Sequence, residues 1–121
     1  QIPPEELPDW FVESREWLEP YWPSQPGPEW LALRQREGAA AFRTRDDVAV
    51  SDAKLRETLK GFDRPELLLW GGDDRIVPPG FIPEWQSVLP DAEVVVIPRG
   101  AHLLLDENMA ARKAAKDFLL G

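Results

Sequence analysis

Two short, continuously apolar runs constrain this chain more than any other feature. We place strands at Glu66–Trp70 and Glu93–Ile97, where apolar side chains occupy both alternating faces. This pattern is typical of strands that are buried in a parallel sheet. A helix predicted over 81–89 separates the strands, and another over 107–120 closes the chain. The second half therefore predicts an α/β unit, strand–helix–strand with a covering helix.

The two predicted strands cannot form a stable sheet without help. A sheet needs three or more strands, or covering elements, to be stable in water. Open strand edges also promote aggregation. Because the sequence supplies only two runs of this kind, we expect the fold to be incomplete without a partner chain. We also expect the isolated chain to be insoluble or molten.

The first 30 residues differ in composition from the rest of the chain. They hold seven of the 13 prolines and four of the six tryptophans. Apolar residues over Asp9–Leu18 recur with helical spacing, which predicts a helix. Residues 20–28 are rich in proline and predict a stiff loop.

The sequence predicts two separate helices between this loop and the first strand. One begins at Pro28, a residue suited to the first turn, and is expected to end before Gly38. Ala39–Ala41 could extend or restart a helix before Phe42. The other runs over Asp52–Lys60, with Ser51 as its N-cap and Leu55 facing inward. Gly61 follows it as a C-terminal stop.

Composition and charge exclude several classes of function. The 121 residues carry a net charge of −8, with no basic cluster, which argues against nucleic acid or an anionic membrane as partner. No apolar run approaches the ~20 residues that span a bilayer. The chain has no cysteine and one histidine, which excludes disulfides and histidine-rich metal sites.

The sequence predicts no cofactor, because its loops lack a Gly-x-Gly-x-x-Gly phosphate cradle. No signal peptide is visible, which favours a cytoplasmic location, with a secreted form left open. Gln1 stands where an initiator Met is usual. We expect a cleavage point there, or further residues upstream.

The loops that follow the two strands carry the candidate chemistry. Ligands of open parallel sheets bind beyond the carboxyl ends of the strands. Asp73 and Asp74 follow the first strand, and His102 follows the second. A carboxylate beside an imidazole fixes its tautomer and stabilises the imidazolium. Each residue alone is more simply a loop residue, but their joint placement favours a catalytic pair, with Asp73 and Asp74 competing for the acid role.

These residues carry a resemblance to a known family. The segments Leu67–Pro78 and Val94–His102 resemble the C-terminal third of the α/β-hydrolase superfamily. The resemblance implies that the acid lies three residues after the first loop glycine, at Asp74, and that His102 is the catalytic histidine. One mild departure is Gly-Ala before the histidine, where Ala-Gly or Gly-Gly is commoner.

The resemblance also implies that a nucleophile precedes the acid in the chain, at a Gly-x-Ser-x-Gly elbow. No serine here has glycines two residues away on both sides; the four are Ser14, Ser24, Ser51 and Ser87. We therefore expect an N-terminal chain of the same hydrolase to supply the nucleophile and the oxyanion hole. Residues 1–60 would form the end of a lid with a connecting helix, and residues 61–121 the C-terminal part of the core.

The expected function is a serine hydrolase acting on an ester, lactone or amide bond of a small molecule or peptide. The expected substrate-binding residues flank the pair or lie in the lid: Ile76, Val77, Leu103, Trp17 and Trp22. The lid aromatics could equally pack the lid onto the core. Two alternatives stay open: an aspartate-nucleophile dehalogenase or epoxide hydrolase, and a non-catalytic binding module.

Overall fold

The computed structural model describes residues 6–121, except for the side chains of residue 42 and of residues 44–51. The elements, in chain order, are helices α1 (Pro8–Phe11), α2 (Arg15–Leu18) and α3 (Pro28–Leu59), strand β1 (Leu67–Gly71), a 3-10 turn (Pro79–Phe81), helix α4 (Ile82–Val88), strand β2 (Glu93–Ile97), and helices α5 (Leu104–Glu107) and α6 (Met109–Leu120).

Strands β1 and β2 pair side by side in parallel, as the sequence predicts. Leu67 lies opposite Glu93, and the register continues to Gly71 opposite Ile97. Since α4 lies between the strands in the chain, it forms part of the crossover. The parallel pairing places both loops that carry the candidate residues at the same edge of the sheet.

A small core forms where α6 covers one face of the sheet. Its buried members are Ile97, Leu104 and Ala111, with Leu69 and Val95 packed against them. The strands are less buried than their apolar composition predicts: every β1 residue before Gly71 is half-buried, and Val96 is 44% exposed. The reason is that among the described residues the sheet has only two strands, so parts of both strands lack a neighbour.

The two helices predicted between residues 28 and 60 are in fact one helix, α3. The predicted stop at Gly38 was wrong because Ala39–Ala41, strong helix formers, follow it and no proline interrupts the segment. The predicted helix start at Ser51 falls inside α3, and its capping side chain lies outside the described residues. Leu55, expected to face inward, is 47% exposed.

The helix predicted over Asp9–Leu18 is broken into α1 and α2. Val12 between them has an extended backbone and is buried, at 5% exposed. The backbone N–H of Glu13 donates to Oε1 of Glu107 across 2.6 Å instead of to a helical carbonyl. A long-range contact therefore replaces the helical bonds that local spacing predicts.

The closing helix is likewise divided, at Asn108. This residue has an extended backbone, and its Oδ1 accepts a hydrogen bond of 3.0 Å from the N–H of Ala111. Asn108 is thus the N-cap of α6, and the turn before it is the separate helix α5. The prediction of one helix over 107–120 missed this cap.

The described chain divides into two compact units. One contains the described residues up to Trp22 together with Arg64–Gly121, and the other is Pro23–Asp63. The first unit holds the sheet and both candidate loops, and the second consists mainly of α3. The assignment of residues 1–60 to a lid and 61–121 to a core stays a prediction. No described helix is long and apolar enough to span a bilayer.

Candidate active site

Asp74 is fixed by its own loop at the end of β1. Its carboxyl is buried, at 8% exposed, and Oδ1 accepts hydrogen bonds of 2.9 Å from the backbone N–H groups of Ile76 and Val77. Nε1 of Trp70 donates to the carbonyl of Val77 across 2.8 Å. These bonds tie the loop to the strand, so Asp74 is held in place by its own loop.

His102 lies in the loop after β2 and meets Asp74. The Nδ1 of His102 is 3.0 Å from Oδ2 of Asp74, and the histidine side chain is 31% exposed. The loop begins with a tight turn, in which Gly100 N–H donates to the carbonyl of Ile97 and Arg99 has a φ of 61°. The turn directs the chain back across the end of β1.

The two loops approach so closely that only glycine fits at Gly71. A Cβ there would lie 2.3 Å from the carbonyl oxygen of Gly100 and 2.6 Å from that of Ala101. Hydrogen bonds cross the gap: Gly72 N–H donates to Ile97 O at 2.8 Å, and Asp73 N–H donates to Gly100 O at 2.9 Å. This contact between backbones sets the distance at which the acid and the histidine meet.

The geometry determines the tautomer of the imidazole. An ionised carboxylate can only accept hydrogen bonds, and Oδ1 already accepts two from the backbone. The hydrogen bond to Oδ2 therefore places the proton on Nδ1 of His102, which leaves Nε2 with a free lone pair. A histidine held in this way can take a proton at Nε2 and be stabilised as an imidazolium by Asp74.

The other acid candidate, Asp73, is exposed, and its backbone N–H bonds to Gly100 O. Among the proposed substrate-binding residues, Ile76 and Val77 hold Asp74 through their backbones. Leu103 N–H donates to the carbonyl of Phe11 at 2.7 Å. The substrate role of each stays a prediction.

The two proposed substrate-binding tryptophans lie in the segment 6–22. Trp22 packs against Phe11, with ring centroids 6.3 Å apart. Trp17 is 53% exposed, and the Arg112 guanidinium lies 6.0 Å from its ring centroid. Trp22 therefore adjoins the histidine loop through Phe11, whereas Trp17 lies against α6.

A cavity of about 410 Å³ adjoins the pair. Both Asp74 and His102 line it, together with Val77 and Trp85. All five residues of β1 line it as well. Because successive side chains of a strand point to opposite faces, a cavity lined by five consecutive residues follows the edge of β1. It therefore extends from the unpaired strand edge to the acid and the histidine.

Helix α1 contacts both loops of the pair, which sequence reasoning did not predict. The Phe11 ring lies edge-on to the His102 ring, with centroids 5.5 Å apart and planes at 72°. The guanidinium of Arg75 lies over the Trp10 ring at 4.4 Å. The hydrogen bond from Arg15 lowers the pKa of Asp9, and the nearby charge of Arg75 acts in the same direction. The aromatic spacing predicts an apolar helix face that includes Trp10 and Phe11, but it does not predict which residues they contact.

Glu107 and Asn108 attach the segment after α1 to the core. Oε1 of Glu107 accepts from the N–H of Glu13, and Nδ2 of Asn108 donates to Oε1 of Glu13 across 2.9 Å. Burial raises the pKa of Glu107 above its ordinary value, although backbone N–H groups of Glu13 and Ser14 oppose this. Among the side chains that the structure describes, no group of three acidic or histidine residues is placed to hold a metal ion.

A family model described as the alpha/beta hydrolase fold matches residues 9–109. The match includes both loops of the candidate pair, and it reaches upstream of the motifs that carry the sequence resemblance. No curated protein and no solved structure matches the chain.

Proposed function

Because this chain belongs to the α/β-hydrolase fold family, we propose that it supplies the acid and the base of a serine hydrolase. Asp74 is the acid and His102 is the base. The serine nucleophile and the oxyanion hole lie on an N-terminal chain of the same hydrolase. The bond cleaved is an ester, a lactone or an amide of a small molecule or peptide.

The hydrogen bond between His102 and Asp74 carries this proposal. It joins residues 28 positions apart, from loops that follow two adjacent strands, at 3.0 Å. A loop aspartate that served only its own turn would need no partner at Oδ2. Here Oδ1 accepts hydrogen bonds from the loop backbone, and Oδ2 faces the imidazole. A catalytic acid needs one oxygen directed at the histidine in this way.

The open edge of β1 supports the need for more polypeptide. Among described residues β1 has one strand neighbour, β2, and the cavity follows its other edge. No large side chain in the described part of the chain is fully buried. Additional polypeptide could therefore bury more of the apolar surface of this core. A further strand paired with β1 would cover this edge, and the loop beyond that strand would reach the cavity end where His102 lies.

The chemistry then divides between the chains. Nε2 of His102 removes the proton from the incoming serine hydroxyl as its oxygen attacks the carbonyl carbon of the substrate. The same nitrogen gives this proton to the leaving group as the bond between that group and the carbonyl carbon breaks. It then takes a proton from the water that hydrolyses the acyl-serine, and returns it to the serine oxygen. Asp74 keeps Nδ1 protonated throughout and balances the charge of the imidazolium.

Hydrolysis of a panel of p-nitrophenyl esters and aminoacyl anilides by the intact protein tests the proposal. We expect turnover, and we expect His102→Ala to reduce kcat/KM by on the order of 10³-fold or more. The matched control is Glu84→Ala, an exposed change on α4, which should stay within about twofold. Full activity in His102→Ala would refute the role of the base.

The need for a partner has its own test. Mass spectrometry of the intact, denatured protein should show sequence beyond residues 1–121, on a second chain or a longer one. A single species of 13.8 kDa that is active by itself would contradict the proposal. Residues 1–121 expressed alone should lack a cooperative unfolding transition, because the sheet edge is unpaired.

A further inference from the structure

Helix α1 contacts both loops of the candidate pair. On the acid side, Trp10 lies against the guanidinium of Arg75, the residue after Asp74. On the histidine side, the Phe11 ring meets the ring of His102, and the Phe11 carbonyl accepts a 2.7 Å hydrogen bond from Leu103 N–H. Two consecutive residues thus touch the neighbours of the acid and the histidine itself.

The residues that follow α1 are bonded to the junction between α5 and α6. Val12 is buried, and Glu13 bonds through its backbone and its side chain to Glu107 and Asn108 at the start of α6. The Trp22 ring also packs against the Phe11 ring, with centroids 6.3 Å apart. Phe11 is therefore held between a fixed backbone and a second aromatic ring, so its position is defined independently of His102.

We propose that Phe11 is a positioning residue for His102. The Phe11 ring restricts rotation of the imidazole from one side, and the bond from Leu103 N–H to the Phe11 carbonyl holds the backbone of the histidine loop. Together they keep Nδ1 pointing at Asp74, so that Nε2 stays oriented for proton transfer. This inference rests on the proposed function for its effect on turnover, but its effect on the imidazole does not depend on any reaction.

The physical reason is that one hydrogen bond does not fix an aromatic ring. The bond between Nδ1 and Oδ2 leaves the imidazole free to rock about the bond axis, and the His102 side chain is 31% exposed. An edge-on aromatic contact is directional and adds a second point of restraint. Because misplacement of a catalytic group by about 1 Å can cost on the order of 10²-fold in rate, this restraint bears directly on kcat.

The test compares Phe11→Leu with Phe62→Leu in the intact protein. Both changes replace a benzyl side chain by an isobutyl side chain, and Phe62 is 52% exposed in the other compact unit. The His102 signals in ¹⁵N–¹H spectra are assigned by their loss in His102→Gln. We expect wild type and Phe62→Leu to show one Nδ1–H tautomer, and Phe11→Leu to show a mixture of tautomers with a kcat about tenfold lower at similar KM.

Each outcome decides a separate question. An unchanged tautomer and an unchanged kcat in Phe11→Leu would overturn the positioning role. A tautomer mixture in a protein without hydrolase turnover would support that role and contradict the proposed function instead. If Phe11→Leu does not fold, wild type alone decides: a nuclear Overhauser contact between the Phe11 ring and the imidazole protons of His102 is expected, and its absence would refute the proposal.

Discussion

The loops after the strands and the long helix α3 hold their shapes for different reasons. In the loops, distant parts of the chain meet: the backbone of Gly71 lies against that of Gly100, and the side chain of Asp74 is hydrogen-bonded to that of His102. In α3, most described side chains are exposed, and nothing lies within 4 Å of a Cβ built at Gly38. The loops depend on long-range contacts, whereas α3 depends on local helix propensity.

Substitutions in the two regions should therefore differ in their effects on activity and stability. A group in the loops is constrained by several partners, so a small change should alter chemistry and stability together. At an open, exposed position of α3 such as Gly38, the effect of a substitution should follow helix propensity. The two regions therefore give opposite expectations for the same substitution.

The largest effect is expected for Asp74→Asn. The amide cannot serve as the charged acceptor for Nδ1–H, so His102 loses both its tautomer and its charge balance. We expect kcat/KM of the intact protein to fall on the order of 10³-fold. Asp73→Asn, the matched control in the same loop, should change it by less than about twofold. If Asp73→Asn had the larger effect, the acid role would belong to Asp73.

A large loss of stability is expected for Gly71→Ala. The added Cβ would meet the Gly100 carbonyl oxygen at 2.3 Å, so the strand ends must separate. We expect the free energy of unfolding to fall by about 3 kcal/mol, measured by denaturant titration of the intact protein. Activity should fall too, since the Asp74–His102 distance would change. A fully stable variant would show that the loops do not pack this closely.

The opposite sign is expected for Gly38→Ala in α3. The position is helical and open, so alanine removes the conformational cost of glycine without a clash. The free energy of unfolding should rise by roughly 0.5–1 kcal/mol. Helical content measured by circular dichroism should rise as well. A destabilised variant would indicate a packing partner at Gly38, and would break the contrast between the two regions.

The smallest effect is expected on the pH dependence of stability, through the ionisation of Glu107. Its pKa is raised above the ordinary value of 4.5, mainly by burial, so the folded chain binds this proton more tightly than the unfolded chain. The associated stability is therefore present in full below the unfolded pKa and is lost as pH rises through the folded pKa. Glu107→Gln keeps an acceptor for Glu13 N–H but cannot ionise.

We accordingly expect Glu107→Gln to flatten the fall of Tm with pH just above pH 4.5. The change should be a few tenths of a kcal/mol, because the carboxyl is partly exposed and solvent screens it. Measurement of Tm against pH for both proteins checks this. A curve for the variant that runs parallel to wild type would show that Glu107 does not contribute to the pH dependence.

The sequence predicts the region around the strands well. Continuous apolar runs define β1 and β2, and β2 matches its predicted bounds of Glu93–Ile97. The parallel pairing that joins Asp74 to His102 follows from the crossover between these runs. This success has a physical cause, since the continuous apolar pattern and the chain connectivity are both local features of these runs.

The sequence predicts the aromatic segment and the helix breaks less well. The break at Val12 and the contact of Phe11 with His102 depend on residues about 90 positions away, which no local pattern contains. The error at Gly38 has a local cause. The high helix propensity of the alanines that follow it exceeds the unfavourable helix propensity of one glycine. Long-range contacts and competing local preferences are thus the two sources of error.

In the proposed mechanism, His102 activates a serine supplied from outside residues 1–121. This serine can be found by labelling the intact protein with a fluorophosphonate probe and mapping the labelled peptide. We expect one labelled serine beyond these 121 residues, with labelling abolished in His102→Ala and preserved in Glu84→Ala. No labelling in a protein that hydrolyses esters would favour an aspartate nucleophile. Labelling of Ser14, Ser24, Ser51 or Ser87 would refute the supply of the nucleophile from outside these residues.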